Sequence, residues 1–220
     1  MPHRSRRVTK LGGSLLNLPD LRGRLAQFLS CCVCEDVLWV IGGGGAADGV
    51  REFDSLHAIG AEAGHWMAVR AMQLNSFMIG QILPGALVVG HRGEAEDAWS
   101  GGRMPIADPY VWLQRDERAG LTVPHRWSFT SDSIAAHIAI GVGAAHLTLL
   151  KSRIPSSDCP VSSAAEMGVV DEDFEWASAS VPSVDLVNLR RAPPQPSVIT
   201  AAGSSGGTHP QSPVRRCVLR

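Results

Sequence analysis

Lysine occurs at only two positions, Lys10 and Lys151, in a chain of 220 residues whose Lys and Arg together number 20, so the other 18 are arginine. A planar guanidinium differs from an ammonium in reach, hydration and donor geometry. Where arginine is used so generally, a retained lysine marks a place that needs a compact ammonium. Each lysine also ends a short apolar run: Val8 leads to Lys10 and on to Gly12, Gly13 and Ser14, and Leu147 to Leu150 lead to Lys151. Both ammonium groups are therefore expected at the carboxyl ends of strands, where open α/β sheets bind ligands. The chemistry that fits is the handling of an anion.

A glycine run supports the same reading. Leu38-Trp39-Val40-Ile41, then Gly42 to Gly45, then a helix starting near Ala47 describe a strand, a glycine loop and a helix amino terminus, whose N–H groups and dipole can surround an anion. Gly42, Gly44 and Ala47 have the spacing of a dinucleotide-binding turn, but such a turn needs an acidic residue about 20 positions later at the end of the next strand. Glu62 has the distance and lies within helical spacing, which argues against it. No Gly-Lys pair exists, which excludes a Walker loop. Read alone, the run is also what a tight turn needs. Thr130-Ser131-Asp132 begins a helix and has its own plain reading as an amino-terminal cap.

The elements that must position these residues alternate. Short apolar runs at Val37 to Ile41, Ala86 to Val89, Tyr110 to Leu113, His146 to Leu150 and Asp185 to Leu189 read as buried strands. Between them, Val50, Phe53 and Leu56, then Ala63, Trp66, Met67, Leu74, Phe77 and Met78, then Ile134, Ile138 and Val142 keep helical spacing. That order predicts an α/β fold, a three-layer αβα sandwich with a mostly parallel central sheet. Residues 91 to 109 are expected to form a short helix and a loop. From Arg191 onward Pro, Gly and Ser dominate; Ser197 to Thr200 could be a final strand, and 209–220 reads as a loose tail after one domain spanning 1–208.

Composition bounds the partners. A 45% hydrophobic content suffices for one full core, and a net charge of -1 disfavours nucleic acid as a partner. No apolar run approaches the length of a membrane span, and the basic start lacks the apolar stretch of a signal peptide. Cys31, Cys32 and Cys34, with Cys159 and Cys217 remote, make an odd total that is no disulfide framework, and no second cluster completes a metal site. A reducing cytoplasm is the expected setting.

Taken together and in order, Val8 to Ser14, Val40 to Asp48, Thr130 to Ala136 and Leu150-Lys151 resemble the motifs of the amino acid kinase superfamily, the group containing aspartate, glutamate, acetylglutamate and uridylate kinases. The likeness runs to Gly206-Gly207-Thr208, similar to the family's closing turn. Gly42 to Arg51, Ala63-Gly64-His65-Trp66, Arg70-Ala71-Met72 and Trp127 to Ala136 look most like the branch with the methanofuran-pathway kinase, which phosphorylates an aminomethylfuran methyl phosphate.

The resemblance implies an ATP-dependent kinase acting on a small anionic acceptor. By it, Lys10 bridges donor and acceptor phosphates, Lys151 holds the nucleotide phosphates from the other side, and Asp132 orients both ammonium groups. Gly12, Gly13 and Ser14 would join the two lysines in binding ATP. Gly43, Gly44, Gly45, Asp48, Arg51 and Ser131 would contact the acceptor. Magnesium is implied with ATP, held mainly by phosphates and water; relatives form dimers, trimers or hexamers, so a homo-oligomer is implied too. A uridylate, amino-acid or carbamate kinase of the same fold and a non-catalytic nucleotide- or anion-binding protein stay as alternatives. His57, His65, His125 and His137 lack ligand spacing and read as core or surface residues, with His65 able to face the acceptor. Asp171, Glu172, Asp173 and Glu175 read as a solvated helix start, with contact to a substrate amine or a metal as the alternative. Trp66, Trp127 and Phe129 read as core or as the wall of an aromatic pocket. After Lys151 the chain departs from the family's aspartate-glycine turn.

Overall fold

The computed structural model describes residues 4–200 apart from 31, 33, 34, 156, 157 and 192–194. The first half runs β1 (Ser5–Leu11), a 3-10 turn (Gly13–Leu15), α1 (Leu21–Leu29), β2 (Glu35–Ile41), α2 (Gly44–His57), α3 (Ala61–Gly80), β3 (Ala86–Val89), α4 (Arg92–Ser100), β4 (Met104–Ala107) and α5 (Pro109–Arg118). The second half runs α6 (Ser131–Val142), β5 (His146–Lys151), β6 (Cys159–Pro160), α7 (Val161–Glu166), α8 (Phe174–Ser178), β7 (Val184–Asn188) and β8 (Gln195–Thr200). Eight strands form one sheet in the order β3-β4-β2-β1-β5-β7-β8-β6. Every pair is parallel except β7 with β8.

Alternation along the strands sorts side chains between two cores. Val8, Leu38, Val40, Leu147 and Leu149 pack with α6 on one face, while Leu11, Trp39, Ile41 and Leu150 pack with α1 on the other. Successive strand residues point to opposite faces. Lys10, two positions after Val8, and Lys151, two after Leu149, therefore share the α6 face. Register completes the placement: Leu11 lies opposite both Ile41 and Leu150, so β1, β2 and β5 end together at one sheet edge.

Four elements differ from the expectation. Tyr110 to Leu113 belong to α5, not to a strand, because Asp108 caps the helix by accepting from Val111 N at 3.0 Å and Pro109 occupies its first turn. Residues 91 to 109 hold a strand as well as a helix: β4 lies between β2 and β3. The helix after the glycine run begins at Gly44, earlier than Ala47, and Ala47 is its one buried residue. Helical spacing located α2 and α3, yet Phe53, Leu56, Met67, Leu74, Phe77 and Met78 are exposed; spacing marks a helical face without saying what covers it. The segment Ser197 to Thr200 does form a strand, within β8. The closing turn at Gly206-Gly207-Thr208 and the tail lie outside the described residues.

Candidate active site

The aligned strand ends bring the glycines together. Gly12 N donates to Leu150 O at 2.9 Å, and Gly42 N to Leu11 O at 2.9 Å, tying the turns after β1 and β2 to neighbouring strands. A Cβ on Gly13 would lie 2.2 Å from Gly44 N, and one on Gly43 would lie 2.4 Å from the Ala47 Cβ. Gly44 also takes a positive φ of 51°, a region open to glycine at little cost. From α3, the buried Asn75 donates through Nδ2 to Gly42 O at 2.8 Å and Gly43 O at 2.7 Å. Those carbonyls are thereby turned inward onto α3. Sequence reading missed Asn75, whose only signal was a polar residue on the buried side of a helix.

Asp132, in the first turn of α6, sits under the ends of β1 and β5. Lys10 Nζ donates to its Oδ1 at 2.8 Å and Lys151 Nζ to its Oδ2 at 2.6 Å. Only 3% of Lys10 and 4% of Asp132 is exposed, so solvent screens these contacts little. Burial alone would push the Asp132 carboxyl up, but the ammonium charges of Lys10 and Lys151 and their hydrogen bonds outweigh it and bring it down to about 2. For Lys151 burial dominates: it pulls the amine down to about 8, aided by the charge of Lys10 and opposed by Asp132. One carboxylate between two ammonium groups leaves positive charge in a water-poor place, offset in part by the nearby Asp171. Such a place attracts an anion.

Beside this triad lies a cavity of about 480 Å³. Gly13, Ser14, Gly43, Gly44 and Gly45 form one wall. Asp48, Arg51 and Ser131 also line it. Lys10, Gly12, Asp132 and Lys151 do not, although their neighbours Gly13 and Ser131 do. Ser14 Oγ donates to Ser152 Oγ at 3.0 Å. Asp48 and Arg51 pair with each other at 3.1 Å, and the Arg51 guanidinium lies 5.3 Å from the Trp127 ring centre. Gly64 lets Trp127 dock on α3, since a Cβ there would lie 2.4 Å from the indole. Trp127 and Phe129 line the cavity, and so does His65.

The acidic run does start a helix, with Asp173 at the cap of α8, Glu175 in its first turn and Glu172 exposed, but Asp171 and Asp173 are bonded to other parts of the chain and not solvated. Asp171 accepts from Thr130 N at 3.2 Å, Thr130 Oγ1 at 2.7 Å, Ser133 N at 3.0 Å and the Ser133 hydroxyl. The side chain of Thr130 thus spends its hydroxyl on Asp171 and makes no cap bond of its own. Burial, then the charge of Asp132, pushes the Asp171 carboxyl up against these bonds. Asp173 accepts from Ser128 Oγ at 2.7 Å and from Arg126, whose hydrogen bond holds its carboxyl below the usual range. A tertiary return of the chain from 171 onto the start of α6 has no local sequence pattern. Of the remaining histidines, His137 faces Asp116 and His125 faces Glu117, while the His57 ring meets Phe53 at a tilt.

Among the described residues no group of three or more His, Cys, Asp or Glu could hold a metal ion. Cys32 is buried, and Cys32 and Cys159 are in no disulfide; Cys31, Cys34 and Cys217 lie outside the described residues. No described helix is long and apolar enough to cross a membrane.

The model of the amino acid kinase family matches residues 5–153, a stretch that holds both lysines, the glycine turns and Asp132. The chain belongs to the amino acid kinase family. No curated protein matches it in sequence. Among solved structures, the UMP kinase of Ureaplasma parvum shares 13% identity at a TM-score of 0.65, covering 90% of this chain and all of that one. The UMP kinase of Bacillus anthracis shares 14% at 0.62, over 86% of this chain and 88% of its own. Uridylate kinase of Archaeoglobus fulgidus shares 15% at 0.58, over 90% and 91%. At these identities the likeness is one of fold, and it agrees with a mostly parallel sheet between helical layers.

Proposed function

We propose that this amino acid kinase family chain is an ATP-dependent phosphotransferase whose acceptor is a small phosphate or carboxylate, and that Lys10, Asp132 and Lys151 are its catalytic residues. The observation that carries this reading is the sharing of one buried carboxylate by two ammonium groups at the edge of a glycine-walled cavity.

Bringing two phosphates together opposes like charges, so catalysis depends on fixed positive charge and positioning. An acceptor oxygen forms a bond to the γ-phosphorus while the bond from that phosphorus to the bridging oxygen breaks, and ADP leaves with the electron pair. Lys10 neutralises charge on the transferring group, and Lys151 holds the nucleotide phosphates. Gly13 and Ser14 present donors to the same phosphates, and Gly12, whose N–H is held by Leu150 O, serves the nucleotide by keeping the turn close. Gly43, Gly44, Gly45, Asp48, Arg51 and Ser131 serve the acceptor, with Arg51 free to exchange Asp48 for an anion at the surface. Magnesium suits this chemistry as a partner of the phosphates and of its own waters.

For the acceptor we propose a furan methyl phosphate of methanofuran-like one-carbon cofactor synthesis, supported by the resemblance of residues 63–72 and 127–136. The three UMP kinase neighbours favour uridylate as the second reading. Purified protein with magnesium-ATP and a panel of an aminomethylfuran methyl phosphate, UMP, carbamate and acidic amino acids, followed by ADP release, separates them. Turnover on another acceptor alone rejects the furan phosphate; ATP binding with no ADP under any acceptor favours a binding protein. We also propose a homo-oligomer, supported by the exposed Leu74, Phe77 and Met78 of α3 and rejected by a monomeric mass in light scattering, and a cytoplasmic setting, which the sequence alone suggests.

A further inference from the structure

Within the cavity wall, one buried side-chain polar atom has no hydrogen-bond partner among the described residues. His65 is 2% exposed and its Nε2 makes no hydrogen bond. A backbone hydrogen bond with Arg126 raises the ring's affinity for a proton, so it comes from an acceptor. A neutral imidazole carries one N–H and one lone pair, so with its proton on Nδ1 the Nε2 atom is the acceptor. The ring is boxed in by aromatic groups: it stacks on His125 with centres 5.2 Å apart, meets Trp66 edge-on at 5.5 Å and lies 6.4 Å from Phe129. His125 is itself engaged with Glu117 and lies 3.7 Å from Glu62. Burial, and next the charge of His125, lowers the His65 ring to about 4, so it is unprotonated at neutral pH.

We propose that His65 is a specificity residue: its Nε2 accepts a hydrogen bond from an N–H donor carried by a small flat-ring anion seated in the cavity. This rests on the acceptor-site reading above and narrows its substrate class. The remaining walls supply the rest of the ligand's description. Trp127, Phe129, Met72 and Ile134 offer apolar surface for a flat ring, and Arg51 and Arg126 offer charge to an anionic group. About 480 Å³ is room for a molecule of this size. A buried acceptor left unpaired is costly, and a site built around one rejects analogues that lack the donor far better than a purely apolar site does.

The donor can be a ring N–H or an amine, and two matched probe pairs distinguish them: UMP against its N3-methyl derivative, and an aminomethylfuran methyl phosphate against the same furan without the amine. Titration calorimetry of the full chain, with a non-hydrolysable ATP analogue present, is expected to show about tenfold tighter binding of the donor-bearing member of one pair. His65→Phe removes that preference and His65→Gln, which keeps an acceptor, retains part of it. Equal binding of both members by the unaltered chain overturns the proposal, as does a preference that survives His65→Phe or an equal loss on both members. Should His65→Phe not fold, nitrogen-15 spectra of histidine-labelled unaltered protein decide. An Nε2 shift with the donor-bearing probe alone supports the role, and the same shift with both probes overturns it. Binding without donor preference leaves the acceptor-site reading standing; no binding of any of the four probes overturns this proposal together with the furan phosphate and uridylate readings.

Discussion

Gly13 and Gly44, from turns after two different strands, approach so closely that a Cβ on Gly13 would sit 2.2 Å from the Gly44 nitrogen. That contact joins the triad side of the site to the cavity wall, and the backbone on each side has no room to yield.

Gly13→Ala is therefore expected to destabilise the fold by at least about 2 kcal/mol, in the range of overpacked sites. Gly45, at the start of α2, meets nothing within 4 Å where a Cβ would stand. Gly45→Ala should raise stability by about 0.5 kcal/mol. Urea midpoints of the two variants test the contrast, and similar midpoints would refute the close approach.

Replacing Lys10 by Ala or Arg is expected to lower kcat at least about 100-fold, as for removal of a key electrostatic donor. Arg keeps the charge and loses the compact ammonium that fits Asp132 Oδ1 at 2.8 Å. Near-normal turnover of Lys10→Arg would undo the argument from lysine scarcity.

Asp132→Asn takes from two buried ammonium groups the counter-charge they share. A loss of about 3 kcal/mol at pH 7 is expected from such a broken pair, together with loss of turnover. A calorimetric melting curve within a degree of the parent would contradict the placement.

Alkaline pH separates activity from stability through Lys151. Its amine, at about 8 in the fold against 10.5 when unperturbed, loses its charge early, so kcat/KM should fall with an apparent pKa near 8. Stability moves the other way. The folded protein binds this proton less tightly than the unfolded chain, so this group's cost is full below pH 8 and shrinks as pH rises from about 8 to 10.5. Lys151→Arg, charged throughout, should abolish the alkaline limb of the rate profile. For Asp132 the folded value near 2 lies below 3.8, so its contribution is present above about pH 4 and lost as pH falls through about 2.

Asn75→Ala removes the two donors that hold Gly42 O and Gly43 O, leaving Gly43 O with only the bond from Ala47 N and Gly42 O without its side-chain partner. A loss of about 2 to 3 kcal/mol follows, with a raised KM for the acceptor and a smaller change in kcat. Steady-state kinetics that show a loss in kcat alone would place the glycine wall elsewhere.

Much of the site was legible in the chain because it rests on local rules. Period-2 alternation and glycine turns after apolar runs put Lys10, Gly13, Gly43 and Lys151 at strand ends, and scarcity singled out the two lysines. Local rules misread Tyr110 to Leu113, where the Asp108-Pro109 start outweighed a short apolar run. They could not show that Asp171 returns to hold Thr130 and Ser133, that Asn75 grips the glycine carbonyls, or that Phe53 and Leu74 face outward. The chain by itself determined which groups carry charge and which strands and turns present them. Only the tertiary structure decided which carboxylate two ammonium groups share and which buried histidine nitrogen is left unpaired, because hydrogen bonding and burial depend on distances in space between residues far apart in the chain.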